Sequence, residues 1–157
     1  MLSIAISGDD NLMLTGNQVR DARGAALVIE RTRDAAVLSN LFAGTMPTNA
    51  IRLQDGSAGG LIAGNVVLTG DRSGIVVRNG GHLTLVRNNV VWQRDGGGIA
   101  LILSDCAEVS GNLVIDNEQK GIEVRQSLGA QVTDNTILSN HSAGIWVSQQ
   151  AAGAETL

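Results

Sequence analysis

The sequence predicts an all-β fold, a single-stranded parallel β-helix, from three observations. Asparagines recur at Asn17, Asn40, Asn65, Asn89, Asn112 and Asn135, spaced by 23, 25, 24, 23 and 23 residues. Self-similarity at a period of twenty-odd residues is the mark of a solenoid. A second marker keeps the same period: Gly74-Ile75-Val76-Val77, Gly98-Ile99-Ala100-Leu101, Gly121-Ile122-Glu123-Val124 and Gly144-Ile145-Trp146-Val147. The third observation is alternation: within each copy every second residue is apolar, the period of a strand with one buried face.

Each element follows in order. Ser3-Ile4-Ala5-Ile6 opens the chain in the phase of the Gly-Ile strand, and weaker copies follow at Ala26-Leu27-Val28-Ile29 and Ala50-Ile51-Arg52-Leu53. The inward columns of this strand are Leu27, Ile51, Ile75, Ile99, Ile122, Ile145 and Ile29, Leu53, Val77, Leu101, Val124, Val147. A strand before each asparagine contributes Leu14, Val37, Ile62, Val86, Val109 and Val132; a strand after it contributes Val19, Phe42, Val67, Val91, Val114 and Ile137. Three short β-branched strands per coil favour a parallel β-helix over a helical solenoid. The asparagine marks the corner between the second and third strands, where it tolerates the left-handed conformation that such a turn demands. Its amide both donates and accepts, so stacked copies form a ladder. About six coils of 23–25 residues result, right-handed by the rule for parallel crossovers.

The asparagine plus Gly-Ile-x-Val pattern resembles the parallel β-helix repeats of the pectate-lyase-like superfamily, and is similar to those of alginate epimerases and NosD-type carbohydrate-associated proteins. The resemblance covers nearly the whole chain. It implies a polysaccharide partner and an extracellular or periplasmic location, and it speaks to fold more than to chemistry, because one scaffold hosts lyases, hydrolases, epimerases and adhesins.

The 157 residues make one domain, 1–157, with no composition break. Neither end shows a polar cap: the chain enters on a strand and stops at Glu155-Thr156-Leu157 where another corner is due. Two readings fit, a fragment of a longer β-helix or ends buried against another copy. A net charge of −4 with no basic stripe argues against nucleic acid. No apolar run reaches a membrane span, and Met1-Leu2 lacks the charged start of a secretory signal. Cys106, the sole cysteine, reads as a buried, inert thiol.

Inward columns fill the core, so function belongs to outward columns and turns. The outward positions of the Gly-Ile-x-Val sheet are Val28, Arg52, Val76, Ala100, Glu123, Trp146 and Glu30, Gln54, Arg78, Ile102, Arg125, Ser148. Six residues after each asparagine runs a turn column, Arg23, Met46, Asp71, Asp95, Glu118 and His141. Confined, stacked acids such as Asp71 and Asp95 could hold calcium or raise a carboxyl pKa; splayed into solvent they do neither. No cofactor is otherwise implied. Glu118, Glu123, Arg125 and His141 are the catalytic candidates, and Trp146 and Arg78 the substrate-binding ones. Acid, base, arginine and aromatic platform suit a uronate, with His141 or Glu118 taking the proton α to the carboxylate and Arg125 neutralising the developing charge.

The catalytic signatures of the resembled enzymes are missing. The Asp-Pro-His-Asp of alginate epimerases and the arginine–proline–arginine of pectate lyases both need a proline, and the only one is Pro47. Three expectations remain open: a non-catalytic β-helix module of a larger extracellular or envelope protein that contacts polysaccharide; a uronate-polymer C5-epimerase or lyase; and a self-assembling element. The last would use uncapped ends or the outward apolar column Ala43, Leu68, Trp92, Ile115 and Leu138.

Overall fold

A computed structural model describes residues 4–45 and 47–149; Ser3, Met46 and the terminal Glu155-Thr156-Leu157 invoked above lie outside them. The described chain is all-β, without a helix. Its strands stack as three parallel sheets of seven, six and six strands, and every neighbour in a sheet lies one coil away in sequence. Sheet 1 runs from Ile4–Ser7 to Ile145–Ser148 through the Gly-Ile-x-Val strands. Sheet 2 holds the strands before the asparagines, and sheet 3 the strands after them.

Register aligns the expected columns residue for residue. Ile75 pairs with Ile51 on one side and Ile99 on the other; Val86 pairs with Ile62 and Val109, and Val91 with Val67 and Val114. These residues are fully buried, with Phe42 the largest apolar side chain among them. In the last coil Ile145 and Val147 are half-exposed or more, because no further described coil covers them.

The asparagine ladder is continuous. Each Nδ2 donates to the Oδ1 of the next asparagine at 2.9–3.0 Å, from Asn17 to Asn135. The same Oδ1 accepts the backbone N–H of the preceding asparagine. From Asn40 onward, Nδ2 also caps an inward strand carbonyl of the previous coil, as Asn89 does for Ile62 at 2.9 Å. Buried corner backbone is thereby satisfied.

One detail corrects the sequence reading. The left-handed residue is the one before each asparagine: Gly16, Ser39, Gly64, Asn88, Gly111 and Asp134 have φ between 54° and 67°. No ladder asparagine has positive φ. Its own conformation is set by the ladder bonds, and the small or turn-prone predecessor takes the strain. Cys106 is a second correction. It sits at a left-handed corner (φ 54°) ahead of the strand Glu108–Ser110, and its thiol is free and exposed, not buried.

Candidate functional site

The corner leading from sheet 3 into sheet 1 is the irregular one. Five residues after the ladder asparagines it carries Ala22, Thr45, Gly70, Arg94, Asn117 and Asn140. The last two form a short second ladder, with Asn117 Nδ2 donating to Asn140 Oδ1 at 2.8 Å. Asn117 Oδ1 in turn accepts the backbone N–H of Arg94 at 3.1 Å. The three strands before this corner in the middle coils are longer, Leu41–Thr45, Val66–Gly70 and Val90–Arg94.

Beside this corner, on the outer face of sheet 1, lies a groove of about 450 Å³. Its floor is Val76, Ala100 and Ile102, and polar residues line it: Thr48, Asn49, Gln54, Ser73, Arg52, Arg72, Arg78 and Glu123. Val76 and Ala100 point outward yet are only 6 % and 4 % exposed. Pro47, Asn49, Arg72 and Ser73 continue into an adjoining depression with Asp71, Gly96 and Gln119.

The groove's charge is one-sided. Arg52 Nη2 donates to Thr48 Oγ1 at 2.6 Å, and Arg72 Nε donates to the Pro47 carbonyl at 3.3 Å. Among the described residues no carboxylate pairs with Arg52, Arg72 or Arg78. The one carboxylate of the lining, Glu123, is paired with Lys120 Nζ at 3.2 Å. Three guanidinium groups therefore face a groove whose acid already has a cation, an arrangement suited to planar anions such as carboxylates.

A family model described as "Right handed beta helix region" matches residues 2–156. The chain belongs to the right-handed β-helix family. No curated protein matches its sequence. Among solved structures, a mutant of the periplasmic alginate epimerase AlgG superposes with a TM-score of 0.91 at 22 % identity, covering 98 % of this chain and 36 % of that one. A second AlgG mutant gives 0.71 at 24 % identity, covering 85 % and 32 %. The unmutated AlgG gives 0.65 at 23 %, covering 91 % and 40 %. This right-handed β-helix thus spans well under half the length of the AlgG chains it resembles, and shares their fold.

On the β-helix, the catalytic candidates fall into two groups. His141 Nδ1 lies 3.0 Å from Glu118 Oε2, and its Nε2 lies 3.6 Å from Asp116 Oδ1, with both His141 and Glu118 more than half-exposed. Glu118 and Asp116 line a small depression of about 190 Å³ with Gln93, Arg94 and Asp95. Glu123 belongs to the other group. It pairs in register with Trp146, and Lys120 Nζ sits 3.8 Å from the centroid of that indole, a cation–π contact. Arg125, exposed, pairs in register with Ile102 and Ser148.

Asp71 and Asp95 share a neighbour, Arg94, whose charged form both favour. Burial pushes its pKa down to about 10 against that pull, so it stays charged at neutral pH. Among the described residues no group of three or more His, Cys, Asp or Glu is placed to hold a metal ion. No described helix is long and apolar enough to cross a membrane. On sheet 3, Trp92 and Leu138 of the outward column are 43 % and 50 % exposed.

Sequence reasoning named Arg78 but missed Arg52 and Arg72 as a set with it, and missed Arg94 entirely. Arg52 and Arg78 were visible as outward positions of adjacent coils. Arg94 was detectable only as the residue in phase with Asn117 and Asn140.

Proposed function

We propose that this chain is a polysaccharide-contacting β-helix segment of a larger extracytoplasmic protein, and that the sheet 1 groove binds an acidic, uronate-type glycan. The observation that carries the reading is the set of three arginines, Arg52, Arg72 and Arg78, facing one groove without carboxylate partners. Gln54, Asn49 and Ser73 add hydroxyl- and ring-oxygen partners, and Val76, Ala100 and Ile102 supply an apolar floor. That mixture of apolar floor and convergent polar groups is what a sugar needs. Binding is the primary role because the arginines have no positioned acid–base pair among them.

Isothermal titration with oligomannuronate and with a neutral glucan of equal length tests this. Binding of the acidic oligomer alone, weakening as salt rises, is the expected result. Equal binding of both, or of neither, sinks the proposal.

A second reading is favoured by the His141–Glu118 contact. His141, with Glu118 at Nδ1 and the looser Asp116 at Nε2, is an acid–base cluster, so the corner could serve a C5-epimerase or lyase. In that case His141→Ala abolishes turnover of a uronate polymer while leaving the melting curve unchanged.

A further inference from the structure

We propose that Arg94 is a positioning residue for the sheet 1 groove: its buried guanidinium fixes the turn that carries Arg72 and the residue that anchors Arg52. The proposal rests on reading that groove as the glycan site.

Arg94 occupies a ladder position. At the equivalent place Asn140 Nδ2 donates to the Val114 carbonyl, 26 residues back, at 3.1 Å. Arg94 Nη1 instead reaches the Leu68 carbonyl at 3.2 Å, one residue beyond Val67, which is the register equivalent of Val114. The rest of the guanidinium does something else. Nε donates to the Arg72 carbonyl at 2.8 Å, Nη1 also to the Thr69 carbonyl, and Nη2 reaches the Thr48 carbonyl at 3.4 Å. Two of these acceptors, Arg72 and Thr48, lie in the turns that border the groove, and Thr69 lies in the strand Val66–Gly70 that leads into one of them.

Those turns bear on two of the groove's arginines. Arg72 itself lines it, and the hydroxyl of Thr48 takes the 2.6 Å bond from Arg52. Arg94 is fully buried, so its fan of donors works in a medium where backbone carbonyls have no water to fall back on. Gly96 closes the turn from the other coil: a Cβ there would stand 2.6 Å from Arg72 C and Ser73 N. The 72–73 backbone is thus gripped between Arg94 and Gly96. A planar fork with several fixed donors does this; a point charge on a flexible stem does not.

The test compares the whole chain with Arg94→Asn, which restores the ladder residue, and Arg94→Lys, which keeps the charge. Two readouts are taken: hydrogen exchange of backbone amides in 48–50 and 69–73, and affinity for oligomannuronate. Arg94→Asn is expected to melt within a few degrees of wild type, exchange those amides at least about tenfold faster, and bind about tenfold more weakly. Arg94→Lys is expected to recover part of the affinity. Wild-type exchange and affinity in Arg94→Asn overturn the proposal, and so does global unfolding of both variants, which would make Arg94 a core residue only. If wild type binds no acidic glycan, the functional reading falls, and the exchange data still decide whether Arg94 holds the turns.

Discussion

Two corners of the same coil behave oppositely. At the corner between sheets 2 and 3, one residue type repeats six times and every bond repeats with it, from Asn17 to Asn135. At the corner between sheets 3 and 1, the equivalent column changes from coil to coil and includes a buried arginine, Arg94. The groove, Arg72, Asp71, Asp95, Glu118 and His141 all lie at or beside the second corner. The difference teaches that a solenoid separates its duties. The column that must be identical to close a ladder cannot vary, and the arginine groove proposed as the glycan site lies where the ladder is broken.

That contrast can be broken by substitution. Asn89→Ala strands the buried Asn65 N–H and the Ile62 carbonyl and should cost about 3–5 kcal/mol, read by urea denaturation. Its glycan affinity per folded molecule should not change. Arg78→Ala, on an exposed residue, should do the reverse: unchanged stability, and affinity for oligomannuronate lower by about tenfold, near 1.4 kcal/mol. Asn17→Ala sharpens the first half. It sits at the exposed end of the ladder, where Asn40 Oδ1 keeps the Asn17 backbone N–H, so about 1 kcal/mol or less is expected. The smallest effect is a gain. Leu103 is a large, 47 % exposed residue held at φ 51°, in a corner column that begins with Gly8 at φ 80°. Leu103→Gly relieves a left-handed leucine and adds unfolded-chain entropy, leaving about 0.5 kcal/mol of stabilisation in a thermal melt.

The regular corner was legible in the sequence because its physics demands one side chain at a fixed period. The inward columns were legible for the same reason, and Ile75, Val86 and Val91 fall in register as expected. The reading slipped where two residues could share a task. Asparagine and its predecessor both tolerate positive φ, and only coordinates show that Ser39 or Asn88, not Asn40 or Asn89, takes it. Cys106 reads as buried from sequence because the corner preceding Glu108–Ser110 has no fixed residue type: Asp34, Gly59, Leu83, Cys106 and Gly129 all occupy it with φ near 55–65°. The candidate site was legible only in part. Register brought Glu123 to Trp146 as the pattern implied. Lys120 over the indole and Arg94 under the groove depend on side-chain paths across coils, which no one-dimensional spacing encodes.

The most direct measurement is an NMR titration of the isotopically labelled chain with oligomannuronate, following backbone amides. The account predicts saturable shifts confined to residues 48–54, 72–78 and the neighbourhood of Glu123, with the ladder asparagines and sheet 3 silent. Shifts centred on Trp92 and Leu138, or on His141 and Glu118 with the arginine groove unmoved, would contradict it.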